Sequence, residues 1–151
     1  MRKRTKRKQW ALIDPVAHAI AGAAIVDTNS LNKLRLMELA SLEAMCKGSG
    51  TVEDWRNLVD MMNVAETMGK HGIGPEILPF IEVAHESMRK AAERFKQTEK
   101  MGLSGEGIKA LREIYEYHDL QRVSVSRSVY EKMIDKTRNL IRGGSNQVIH
   151  V

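Results

Sequence analysis

The 151-residue sequence contains a single cysteine, Cys46, and therefore cannot form an internal disulfide. A lone cysteine is typical of a reducing compartment, so we expect a cytoplasmic location. Aromatic residues are also few (two Phe, two Trp and three Tyr), whereas Met occurs nine times. The core should therefore be aliphatic and adaptable. A chain of this length buries about 68–70% of its unfolded surface, so a disulfide or structural metal is not needed.

Long apolar runs are absent from the sequence as well. A membrane-spanning helix needs about 20 consecutive apolar residues. The nearest candidate is residues 16–26 (VAHAIAGAAIV), which His18 interrupts. Asp14-Pro15 precedes this stretch and is a helix-start signal rather than part of a signal peptide. We therefore predict a short helix over residues 15–25 and no membrane association.

Charge is present in quantity and is unevenly distributed. Residues 1–8 carry six bases and no acid, a net charge of +6. Residues 9–121 carry 12 bases and 17 acids, a net charge of −5. Residues 122–151 carry six bases and two acids, a net charge of +4. Both ends are thus basic around a mildly acidic middle, and this asymmetry favours contact with polyanions.

Helical periodicity and capping signals extend over nearly the whole sequence. They predict an all-α fold, a compact bundle of about five to six helices with a long central helix near residues 75–100. Thr51 and Asp54 form a capping box before one helix, and Ser128 and Glu131 form a second before the last helix. The long helix has an apolar seam with spacings of three and four, formed by Ile77, Ile81, Ala84, Met88, Ala91 and Phe95.

Three segments are expected from this pattern. Residues 1–10 form a basic N-terminal arm that should be disordered, since it has too little apolar surface to bury. Residues 11–144 form one helical domain, and residues 145–151 form a flexible tail.

Two helix faces are less regular than the long seam. Residues 31–46 place one apolar face inward, which includes Leu39 and is interrupted by Glu38. In residues 115–122 (YEYHDLQR), we expect Tyr115 and His118 to point inward and the other side chains to be solvated. A binding or catalytic patch in this second segment is the alternative interpretation.

No complete catalytic or metal-binding motif is present in the sequence. Glu82 and His85 form one Glu-x-x-His pair, whereas di-iron bundles use paired copies. Cys46 lies on an apolar helix face, where a small core residue is the plainer interpretation. Residues 69–74 (GKHGIG) lack the phosphate-loop pattern and a preceding strand, and they predict a helix break. We therefore expect no enzyme activity, no cofactor and no metal, and no small-molecule substrate is evident.

Two basic clusters are the candidate sites for nucleic acid. The arm contributes Arg2, Lys3, Arg4, Lys6, Arg7 and Lys8. The C-terminal region contributes Arg122, Arg127, Lys132, Lys136, Arg138 and Arg142. Such side chains neutralise phosphates and release counterions, which makes binding salt-dependent. Trp10 either stacks on an unpaired base or anchors the core. A helix-turn-helix with residues 128–142 as its recognition helix is weakly supported, because the connector is long.

The leading hypothesis is a small non-enzymatic accessory or regulatory protein that contacts DNA or RNA through both clusters. The alternative is an adaptor or inhibitor that binds a partner protein, or a second copy, through its helical body. Met-rich surfaces are adaptable binders and support this alternative. For residues 2–8, two further interpretations are a merely solubilising arm and a role in localisation or at a membrane surface.

Overall fold

The computed structural model describes residues 28–142. The predictions for the arm, for a helix over residues 15–25 and for the tail lie outside this range. Within it the chain forms five α-helices and no named strand, so the predicted all-α bundle is confirmed. The helices are α1 (Thr28–Cys46), α2 (Val52–Lys70), α3 (Leu78–Thr98), α4 (Gly105–Val123) and α5 (Arg127–Arg142), with a 3-10 turn at Pro75–Ile77 before α3.

The predicted capping box at the start of α2 is confirmed. The Thr51 hydroxyl accepts a hydrogen bond from Asp54 N (3.1 Å), and the Asp54 carboxylate accepts one from Thr51 N (2.9 Å). The break after α2 is also confirmed, and Gly74 has a left-handed φ of 61° before the 3-10 turn. Such a conformation carries little strain only in glycine. Local side chains therefore decide where α2 begins and where the chain turns towards α3.

The predicted cap of the last helix is wrong by two residues. α5 begins at Arg127, because its cap is Ser126, whose hydroxyl accepts a hydrogen bond from Val129 N (3.2 Å). Val125 and Tyr130 flank this cap, and both are buried in one small apolar cluster. This arrangement is a hydrophobic staple, which fixes the entry of the chain into the helix.

The long seam of α3 is confirmed as the centre of the core. Ile77, Ile81, Ala84, Met88 and Ala91 are all buried, and Phe95 at the end of the seam is partly buried. Trp55 of α2 packs into this core and donates its indole N–H to Met88 O (3.0 Å). α4 approaches α3 closely at Gly107, where a Cβ atom would lie 2.6 Å from the Cβ of Ser87.

The predicted inner face of α1 is partly wrong. Leu31, Leu42 and Met45 are buried as expected. Leu39 is instead 43% exposed, and Glu38 is only 3% exposed. Glu38 turns inward because it pairs with a buried arginine of α4, an interaction that joins positions 84 residues apart.

Candidate nucleic-acid interface

α5 packs onto α2 through a narrow stripe. Its buried residues are Tyr130, Met133 and Thr137, and the first two share a cluster with Met68. Thr137 donates a hydrogen bond to the Thr67 hydroxyl across this contact (2.7 Å). Because only the stripe is buried, the charged side of α5 faces away from the bundle.

The exposed side of α5 carries five bases and two acids. Arg127 pairs with Glu131 (Nε to Oε1, 2.9 Å), and Arg138 pairs with Asp135 (Nη1 to Oδ1, 3.3 Å). The bases of α5 that have no ion pair within residues 28–142 are Lys132, Lys136 and Arg142. Of the predicted phosphate contacts that lie within residues 28–142, these three side chains are therefore available to bind an external anion.

Arg122 is not part of that surface, and its prediction as a phosphate contact is corrected. Its side chain is 0% exposed. One terminal nitrogen, Nη1, donates to both carboxylate oxygens of Glu38 at 2.9 Å. The other, Nη2, donates to Asp119 Oδ1 at 3.0 Å, and Asp119 also accepts from Arg35 Nε at 2.8 Å. This cluster, which we call the Arg122 network, ties α4 to α1.

The electrostatics of the Arg122 network follow from burial opposed by pairing. Burial raises the pKa of Glu38, although Arg122 acts in the opposite direction. Burial works against the charge on Arg122, but Glu38 and Asp119 outweigh it, so its pKa is raised. For Asp119, burial is outweighed by the hydrogen bonds from Arg35 and Arg122, which lower its pKa. Buried charges of this kind are retained in pairs because a lone one is costly.

A second buried polar group lies next to the network. His118 donates from Nδ1 to Gln121 Oε1 (2.7 Å), because the Gln121 amide nitrogen donates to the carbonyls of Ala65 and Ile73 (3.2 and 2.8 Å). Burial and the nearby Arg122 charge lower the pKa of His118 to about 3. The imidazole is therefore neutral near pH 7, and its partner Gln121 joins α4 to α2 and to the loop that follows α2.

The interpretation of residues 115–122 is corrected accordingly. His118 points inward as expected, whereas Tyr115 is only partly buried, and Tyr117, Gln121 and Arg122 are buried as well. The sequence does hold a signal for this face. His118, Gln121, Arg122 and Val125 recur at i, i+3, i+4 and i+7, but polar residues in an apolar pattern are easily taken for a solvated surface.

The arm residues Arg2, Lys3, Arg4, Lys6, Arg7 and Lys8 lie outside the described residues, as does Trp10. Whether the arm and α5 share one face is therefore a prediction that stays open.

The structure also places the His85 and Cys46 side chains, which the sequence analysis considered for metal binding and catalysis. His85 Nε2 lies 3.5 Å from the carboxylate of Glu66 rather than beside Glu82. Residues 28–142 contain no group of three or more side chains suited to hold a metal ion. Cys46 is partly buried against the core.

Two further findings complete the description of this interface. None of the helices between residues 28 and 142 is both long and apolar enough to cross a membrane. Comparison with known protein families, with curated proteins and with solved structures finds no match to this chain.

Proposed function

We propose that the protein is a small non-enzymatic accessory or regulatory protein that contacts DNA or RNA. The contact would use the exposed face of α5 together with the basic run at residues 2–8. The observation that carries the proposal is a set of three exposed bases of α5, Lys132, Lys136 and Arg142, that form no ion pair with any residue between 28 and 142. Side chains that are free of carboxylates can neutralise phosphates without first breaking an ion pair.

The distribution of charge over the bundle supports the same surface. α5 carries five bases and two acids, a net charge of +3, whereas residues 28–123 carry 13 bases and 15 acids, a net charge of −2. A polyanion approaching the bundle is therefore attracted to α5 and weakly repelled by the rest. Lys132 and Lys136 are four residues apart, so they lie on one side of the helix. Two neighbouring lysines favour backbone contacts over reading of bases.

The experiment is a fluorescence anisotropy titration of duplex DNA and of single-stranded RNA at 50 and 200 mM salt. In the full chain, Lys132→Ala/Lys136→Ala should weaken binding and reduce the salt slope on B-DNA by about 1.8, because each phosphate that is no longer neutralised lowers the slope by roughly 0.9. The matched control is Lys96→Ala/Lys100→Ala, which removes two exposed lysines four residues apart, one in the last turn of α3 and one just after it. This control should leave the slope nearly unchanged.

Equal effects of the two lysine pairs would mean that any binding follows net charge rather than α5. Absence of binding at 50 mM salt would end the proposal. A separate chain without residues 2–8 tests the arm, because its removal should lower the salt slope further if the arm contacts phosphates.

A second function, binding of a partner protein, is favoured by a groove between α3 and α4. The groove has a volume of about 550 Å³ and an apolar part of its lining formed by Phe80, Val83 and Ala110. Lys109, Arg112, Glu106 and Glu113 also line it. The groove would therefore suit a partner protein that inserts an apolar side chain flanked by charges of both signs.

The two functions are separable by nuclease treatment. The protein-binding function predicts a purified hetero-complex that survives nuclease treatment. Val83→Glu should disrupt this complex, and Lys132→Ala/Lys136→Ala should leave it intact. A complex that nuclease dissolves would support contact with nucleic acid.

A further inference from the structure

α1 carries apolar side chains on its outer side as well as on its buried side. Leu31 and Leu42 are buried in the bundle, whereas Leu36, Met37 and Leu39 are 67%, 41% and 43% exposed on the outside. Leu36 and Leu39 are three residues apart and therefore lie next to each other on one side of the helix. We call these two exposed residues the outer patch of α1.

The outer patch is confined to the N-terminal part of the helix. Beyond it, the same side of α1 carries Glu43 and Lys47, which form an exposed ion pair (3.1 Å). Exposed ion pairs of this kind belong on a solvated surface. Whatever covers the outer patch therefore reaches it from the end of α1 at which the chain enters, and stops before Glu43.

The sequence immediately before α1 has the composition to cover this patch. Residues 16–26 contain no charged residue and only one polar side chain, His18, and they end two positions before Thr28. Their many alanines permit close approach to another helix. A segment without charge can be buried without desolvating an ion.

The lengths also agree. The helix predicted over residues 15–25 would extend about 16 Å at about 1.5 Å per residue. On the same rise, Leu36 and Leu39 lie about 12 and 17 Å along α1 from its first residue. A segment that folds back at residues 26–27 therefore has the reach to cover the patch and to end before Glu43.

We propose that residues 16–26 dock antiparallel on the outer patch of α1 and cover Leu36 and Leu39. The docked segment would fasten the basic run at residues 2–8 to the body of the protein near Asp14-Pro15. This inference does not depend on nucleic-acid binding, and none of its measurements uses nucleic acid. The two proposals can therefore fail separately.

Disulfide trapping in the full chain tests the docking directly. In a Cys46→Ser background, Leu36→Cys is combined in turn with Ala17→Cys, Ala21→Cys or Ala24→Cys, and each chain is mildly oxidised. The expected result is an intramolecular disulfide in at least one pair, seen by mass and gel mobility and independent of protein concentration. Matched controls replace Leu36→Cys by Arg56→Cys on the exposed side of α2, and these should not close.

Two results of the trapping would overturn the proposal. Disulfides between chains, rising with concentration, would identify a second copy as the cover. Failure of every pair to close, or closure equal to that of the Arg56→Cys controls, would show that residues 16–26 do not dock there.

Thiol labelling gives an independent measurement on a single substitution. Leu36→Cys, again with Cys46→Ser, should react with a maleimide at least about tenfold more slowly than Arg56→Cys, because a covered thiol reacts only through local opening. Neither substitution replaces a side chain that is buried by residues 28–142, so both chains should fold. Equal labelling rates would contradict the docking.

Discussion

Arg122 at the end of α4 and the bases of α5 are neighbours in sequence but have opposite surroundings. Arg122 is fully buried and holds two carboxylates, whereas Lys132 and Lys136 are exposed and hold none within residues 28–142. All belong to the same basic stretch of sequence. The difference shows that the number of bases in a segment measures its charge, not the share of that charge available to a ligand.

The comparison also separates two kinds of polar side chain by their energetics. Removing one member of a buried ion pair leaves the other charge in the protein interior without a partner or water. Removing an exposed charged side chain lets water take its place. The Arg122 network should therefore determine stability, and the exposed face of α5 should determine binding. Four changes test this division, from the largest expected effect to the smallest.

The largest effect is expected from Arg122→Ala. It leaves Glu38 buried without its partner, and breaking a buried pair in this way costs about 3–5 kcal/mol of the free energy of unfolding. Urea denaturation followed by circular dichroism measures the loss. The control is Glu38→Leu/Arg122→Met, which removes both charges and should recover much of the stability, because a well-packed apolar pair often matches a buried ion pair.

A loss below about 1 kcal/mol for Arg122→Ala would place this side chain in water instead of in the core. It would also restore Arg122 to the candidates for phosphate contact.

The second effect is a dependence of stability on pH that comes from His118. Its pKa is about 3 in the folded chain and near 6.5 when unfolded, so only the unfolded chain takes up this proton between those values. Stability from this group is therefore complete above about pH 6.5 and falls by roughly 1.4 kcal/mol per pH unit below it. The pKa of Glu38 is raised in the folded chain, so the contribution of this group to the free energy of unfolding decreases as the pH rises above 4.5.

A comparison of variants isolates His118 from the carboxylates. His118→Asn should flatten the decline in unfolding free energy between pH 6.5 and 5 relative to the unsubstituted chain. An unaltered slope in His118→Asn would mean that the imidazole is accessible to protons in the folded chain.

The third effect concerns the contact that holds α5 on α2. Thr137→Val keeps the shape of the side chain but removes the hydroxyl that donates to Thr67 (2.7 Å). The expected loss is about 1 kcal/mol, the usual net contribution of one hydrogen bond. Thr98→Val is the matched control, because Thr98 and Thr137 both bond the carbonyl oxygen four residues before them (Arg94 O at 2.8 Å and Met133 O at 2.7 Å), but Thr98 is exposed. Thermal unfolding of both chains should show a loss for Thr137→Val alone.

The fold could largely be predicted from the sequence because its signals are local. The capping box at Thr51 and the seam of α3 depend on residues within one or two turns of each other, so periodicity identifies them. The cap at Ser126 could not be identified in this way, because Ser128 offers a competing pattern. The choice between the two depends on where Val125 and Tyr130 pack.

The Arg122 network could not be predicted from local patterns either. Glu38 and Arg122 are 84 residues apart, and each alone looks like a surface charge on an amphipathic helix. Burial of an ion is decided by the partner that the tertiary fold supplies, and a pattern within one helix does not contain that partner. The sequence alone places Lys132 and Lys136 on one side of α5. It does not show which bases of α5 form ion pairs with the two carboxylates of that helix.

The smallest effect on stability is expected where the proposed function lies. Lys132→Ala/Lys136→Ala should change the free energy of unfolding by less than about 0.5 kcal/mol, because neither lysine is buried or paired within the described range. Urea denaturation at low and high salt measures this directly. Unchanged stability with weakened anion binding would mark these lysines as free for a ligand, in contrast to Arg122. A loss above about 1 kcal/mol would mean that α5 needs both lysines to fold, and a binding defect in that variant would no longer argue for contact with nucleic acid.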